Sequence, residues 1–157
     1  MNSLFFAYAL LGGLAIGLLI SVYTDIRYRL ILNKVTLPIA LAAPLYWAAT
    51  EGLSFPIIGY HLAIGAAVFA LFSLFFIMKA MGGGDVKLFA AVALWFPIQK
   101  VFQLLFIASI IGLAVTIVFF IIHRLRKMPG NARIPYGVAI SLAGLWIAGE
   151  QIFNHFS

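Results

Sequence analysis

Residues 55–85 read FPIIGYHLAIGAAVFALFSLFFIMKAMGGGD, and this stretch decides the class of fold. Its first 24 residues, 55–78, contain no Lys, Arg, Asp or Glu. At 1.5 Å per residue such a helix is about 36 Å long, enough to cross a hydrocarbon core of roughly 30 Å. The run then ends in Lys79 and passes through three glycines to an aspartate. A carboxylate beside the bilayer is costly and usually functional.

The rest of the chain agrees with a membrane setting. Of 157 residues 65% are hydrophobic and 9% charged, against about a quarter charged in globular domains, and the mean hydropathy is +1.15. Five further apolar segments fall at 4–23, 35–49, 88–96, 101–122 and 134–153. Lipid offers no partner for backbone N–H and C=O groups, so all six are expected to be helices. The polar stretches between them are too short for a separate soluble domain, so residues 1–157 read as one membrane-embedded domain. Residues 4–23 lack a basic n-region and a small-residue cleavage site, and read as a retained helix rather than a signal peptide. The chain has no cysteine, which excludes a disulfide framework, a thiol nucleophile and cysteine-ligated metal.

Basic residues orient the segments. If all six cross, the loops after segments one, three and five share a side and hold Arg27, Arg29, Lys34, Lys79, Lys87, Arg124, Arg126, Lys127 and Arg133, leaving Lys100 opposite. Nine against one places those loops in the cytoplasm and both termini outside. Trp47 and Trp95 then fall near outer ends, where interfacial aromatics are expected. The segment at 88–96 is short, and could be re-entrant instead. That alternative would export the basic run at 123–127, so crossing is preferred, with the glycine-aspartate motif at the start of helix four. Pro38 and Pro44 predict a tilted or kinked second helix.

This topology brings two acids to one face. Asp25 follows the first segment and Asp85 the third, with Glu51 and Glu150 on the other side. Two facing carboxylates with a water between them can hydrolyse a peptide bond, one ionised as base and one protonated as acid. His61 and His155 fall outside, His123 falls in the basic loop, and no serine lies in a nucleophile-elbow sequence. Gly82, Gly83 and Gly84 would permit positive φ and close approach of an extended substrate. A helix starting at Asp85 would favour its ionised form.

Gly82-Gly83-Gly84-Asp85-Val86-Lys87-Leu88 resembles the GxGD signature of the type IV prepilin peptidases, which are aspartyl membrane proteases. Residues 25–33, from Asp25 to Asn33, are similar to that family's segment with the first catalytic aspartate, with Leu32 where proline is usual. Residues 134–140, containing Pro135, Tyr136 and Gly137, match its C-terminal motif. The short length resembles the single-domain members that serve Flp/Tad-type pili. The resemblance implies removal of the basic cytoplasmic leader from a prepilin whose hydrophobic helix follows the cut, at the cytoplasmic face of a prokaryotic inner membrane. Asp25 and Asp85 would be catalytic, with Gly82, Gly83, Gly84, Lys87, Asn33, Pro135, Tyr136 and Gly137 binding substrate or shaping the site. Larger members also methylate the new N-terminus through an added loop with zinc-ligating cysteines. Here neither loop nor cysteine occurs, which implies peptidase activity alone, without S-adenosylmethionine or any metal or other cofactor.

Plainer readings stand beside these. Asp85 could serve as an N-cap, Asp25 as a partner of Arg27 or Arg29, and Lys87 as a snorkelling anchor. Asn33 reads as the N-cap of helix two, Pro135-Tyr136-Gly137 as a helix-entry turn, and Gly13 with Gly17 as a close-packing pair. The histidines read as interfacial polar residues, and the basic loops as contacts to membrane lipid. No nucleic-acid motif occurs, and the oligomeric state is open. The alternative function is a small proton- or ion-coupled transporter using the same aspartates.

Overall fold

A computed structural model describes residues 2–125 and 134–153. Among them there is no strand, and six helices follow in order: α1 (Asn2–Tyr28), α2 (Asn33–Thr50), α3 (Phe55–Ile77), α4 (Gly83–Ala93), α5 (Ile98–Leu125) and α6 (Tyr136–Phe153). Arg126, Lys127, Arg133 and His155 lie outside the described residues. Four segments are long and apolar enough to cross a membrane: Ser3–Tyr28, Phe55–Ile77, Ile98–Ile122 and Tyr136–Phe153. The other two helices depart from that standard for different reasons. α4 has 11 residues, or about 16 Å of rise. α2 has 18 residues but is not apolar enough, opening on Asn33 and Lys34; it contains Pro38 and Pro44 and stays one helix through both.

The short helix is the centre of the fold. α4 packs against α3, α2 and α6, while α1 packs against α2 and α6. Val86, Leu88, Phe89, Val92 and the following Trp95 and Phe96 are all buried. α3 and α5 instead expose Phe69, Leu71, Leu74, Phe102, Phe106 and Ile110, an apolar exterior of the kind that lipid covers. Gly17 lets α2 come close, since a Cβ there would lie 3.0 Å from Ile39 Cδ1, whereas Gly13 has nothing within 4 Å. Of the glycine pair, only Gly17 is needed for packing.

Burial overturns the expected aromatic belt. Trp47 and Trp95 are each 1% exposed. Trp47 Nε1 donates to Leu94 O at 2.8 Å, and Trp95 Nε1 donates to Ile39 O at 2.9 Å. The two indoles cross-link α2 to the end of α4, where helix-terminal carbonyls lack intrahelical donors. They are core residues chosen for a ring with a donor, a combination that also suits an interface. His61 is likewise not interfacial: it is fully buried, stacked on Trp47 at 4.8 Å, with Nε2 3.2 Å from Glu51 Oε1. Trp47→Phe should therefore lower stability by about 1–3 kcal/mol, because it leaves the Leu94 carbonyl without its donor. The check is a thermal midpoint in detergent. The exposed Trp146, changed to Phe, should leave that midpoint in place.

Candidate active site

The two acids lie at one end of the bundle, each on a helix. α1 does not stop before Asp25 but runs on to Tyr28, so Asp25 belongs to its last turn. α4 begins at Gly83 with Gly82 as N-cap, so Asp85 is the third residue of the helix and not its cap. Asp85 Oδ2 accepts from the Gly82 amide at 3.1 Å. That is one half of a capping box, and a glycine has no side chain to supply the other half. Asp25 Oδ2 accepts from the Val138 amide at 3.0 Å, across 113 residues of sequence. The Gly137 amide acts on both carboxylates, and the two are close enough to repel one another.

Both groups are withdrawn from solvent, Asp25 at 5% exposure and Asp85 at 9%. Their shared surroundings come from three chain entries: the 29–32 segment after α1, the glycines opening α4, and Pro135-Tyr136-Gly137 opening α6. A Cβ at Gly137 would stand 2.8 Å from Asp25 Oδ2 and would strike Ile31 Cδ1. A Cβ at Gly84 would stand 3.0 Å from Ile31 Cβ and 3.3 Å from its carbonyl oxygen. A Cβ at Gly82 would meet Asp85 Oδ2 at 2.8 Å, and one at Gly83 would meet the Phe76 ring at 3.2 Å. The α4 glycines are thus explained by close approach of neighbours. The expected positive φ is absent: among the described residues it occurs only at Gly52, Arg29 and Lys79.

The remaining site residues are arranged around this core. Pro135 is buried and Tyr136 half-buried at the start of α6. Lys87 Nζ donates to Asn33 Oδ1 at 3.2 Å, tying the second turn of α4 to the start of α2 at an exposed edge. Asn33 is not the N-cap of α2. Leu32 takes that place with φ −79° and ψ 129°, and Asn33 is the first helical residue, its amide turned to Lys87 instead. The N-cap choice differs by one position, as helix ends commonly do. Arg29, at φ 54°, holds its guanidinium 4.3 Å over the Phe119 ring.

Three participants escaped the sequence reading. Ile31 fills the space between Gly84 and Gly137, Val138 supplies a backbone donor, and Ser141 is completely buried on α6. α1 and α6 pair Asp25 with Val138 and Leu18 with Gly144. That antiparallel register sets Ser141 level with the buried Ser21, one turn further into the bundle than Asp25. A serine inside an apolar helix is a detectable signal. A backbone amide and a space-filling isoleucine are not.

A buried pair of carboxylates held on backbone amides in an apolar helical chain invites comparison with known proteins. The model of the type IV leader peptidase family matches residues 12–117, a span that includes both aspartates. A prepilin leader peptidase/N-methyltransferase of Aeromonas hydrophila is 33% identical over 130 residues, covering 74% of this chain and 42% of that protein. Proteins of the same name from Dickeya chrysanthemi and Legionella pneumophila are 30% and 31% identical, covering 88% and 91% of this chain and 53% and 51% of theirs. The chain spans about half the length of these curated relatives. No solved structure matches. With more than half of its length in the family model and relatives matched along most of it, this chain belongs to the type IV leader peptidase family.

Proposed function

We propose that this protein is a membrane aspartyl endopeptidase that removes the cytoplasmic leader of type IV prepilins of the Flp kind. Asp25 and Asp85 are its catalytic pair. The observation that carries the reading is their burial at one end of the bundle on helices 60 positions apart, Asp85 on the Gly82 amide and Asp25 on the Val138 amide, with Ile31 against both Gly84 and Gly137. Family membership supports a prepilin as substrate. All six helices cross the bilayer with both termini outside, so the pair faces the cytoplasmic interface of the inner membrane. A prepilin with its hydrophobic helix in the same bilayer presents the scissile bond at that depth.

The chemistry follows from two acids sharing a site. Like charges disfavour double ionisation, so one carboxylate is ionised while the other keeps its proton. The ionised one takes a proton from water as the oxygen attacks the scissile carbonyl carbon. The protonated one donates to the carbonyl oxygen, and return of a proton to the amide nitrogen releases the leader. Because the pair shares one proton, its pH behaviour belongs to both residues together. The 157 residues contain no cysteine to hold zinc, and the peptidase step is the one assigned to them. Lys87 and Asn33 shape the site's edge rather than act on the peptide.

Co-expression with a Flp-type prepilin, followed by gel shift, tests the reading. The precursor should lose its leader only when the wild-type chain is present. Ion flux in proteoliposomes without leader loss would favour the transporter instead.

A further inference from the structure

A buried catalytic pair poses a problem of access, for Asp25 and Asp85 are only 5% and 9% exposed. The side chain in the way is identifiable. Ile31, itself buried, lies with Cδ1 against Gly137 beside Asp25 Oδ2, while its Cβ and carbonyl press on Gly84, the neighbour of Asp85. One residue therefore covers both Gly137, beside Asp25, and Gly84, next to Asp85. It is carried by a four-residue connection, 29–32, whose first member is one of only two non-glycine residues with positive φ among those described. A non-glycine residue in that region costs about 1–3 kcal/mol and persists only where its surroundings impose it. Here the Phe119 ring under the Arg29 guanidinium provides such a hold.

We propose that Ile31 is the gate of the site, closing the Asp25 and Asp85 pair at rest and withdrawing with the 29–32 connection when a peptide enters. The proposal rests on the pair being the reaction centre. The packing supplies its logic: Ile31 touches both helix entries that hold the carboxylates, so one displacement opens both. An apolar plug also keeps bulk water out until a substrate displaces it. Ile31 is a gating and positioning residue, with no chemical role of its own.

The test needs no prepilin. Dicyclohexylcarbodiimide is apolar and couples to protonated carboxyl groups that it can reach, and modification of Asp25 and Asp85 can be followed by peptide mass spectrometry on the full chain in detergent. The wild-type pair should react slowly, Ile31→Ala should speed modification of both by about tenfold, and Ile31→Phe should give no acceleration. Phe119→Leu, which removes the hold on Arg29, should accelerate both to a lesser degree. Leu14→Ala, a buried change in α1 about 16 Å along the helix from Asp25, is the control for general loosening and should have no effect. No acceleration in Ile31→Ala, or equal acceleration in Leu14→Ala, overturns the gate. Either result leaves the catalytic reading standing, whereas normal leader removal by an Asp25→Asn or Asp85→Asn chain overturns that reading and leaves the labelling result unaffected.

Discussion

Asp25→Asn and Asp85→Asn should each abolish leader removal, by about 10³-fold or more, and the double variant should be no worse than either single one. The reason is that base and acid act on one water and one carbonyl, so losing either group removes the whole step. Asparagine is nearly the same shape and keeps an oxygen that can accept from the Gly82 or Val138 amide. The fold should therefore survive, and removal of one of two mutually repelling carboxylates should leave the thermal midpoint in detergent unchanged or higher. A fall in processing with a matching fall in midpoint would point to a structural role instead. Initial rates of processing against pH supply a second reading. A pair that needs one ionised and one protonated member loses activity on the acid side, where both are protonated, and on the alkaline side, where both ionise. The profile should be bell-shaped, and a flat acid limb would count against the shared proton.

The sequence was most legible where a physical constraint is local and severe. Long apolar runs force helices in lipid, and the segments at 4–23, 55–78, 101–122 and 134–153 correspond to the four candidate spans. It was less legible where hydropathy and burial part company. The apolar run at 88–96 understates α4, because the helix starts at Gly83 through glycines and an aspartate that hydropathy scores as loop. Trp47 and Trp95 carry polar atoms near helix ends, which fits an interface as well as a cross-linked core. Only knowledge of the partner carbonyls on α2 and α4 separates the two. Asp25 and Asp85 were readable as acids out of place, and the charge count put them on one side. That Asp25 is held on the Val138 amide and Asp85 on the Gly82 amide was not readable, since an amide looks the same at every position. The same blindness explains the glycines, whose absent side chains signal either backbone freedom or a crowded neighbour.

That last ambiguity gives the second large effect, at Gly137. An alanine Cβ there would lie 2.8 Å from Asp25 Oδ2, closer than real Cβ atoms come, with Ile31 on its other side. Neither neighbour has free space, since Asp25 and Ile31 are both buried and Asp25 is held by the Val138 amide. Relief must come from turning the carboxylate or lifting the start of α6, and both shift a reacting group. A displacement near 1 Å costs about 10²-fold in rate, so Gly137→Ala should retain about 1% of wild-type processing or less. Gly84→Ala should come next, because its Cβ meets the Ile31 carbonyl at 3.3 Å and Cβ at 3.0 Å, in the connection rather than at a carboxylate. Gly83→Ala presses only on the Phe76 ring, which can turn aside, and should remain within about threefold of wild type. The leader-removal assay on the three variants, at matched expression, reads the order directly. Equal losses at Gly83 and Gly137 would mean that the glycines serve backbone freedom after all, whereas the graded series ties activity to the space around Asp25.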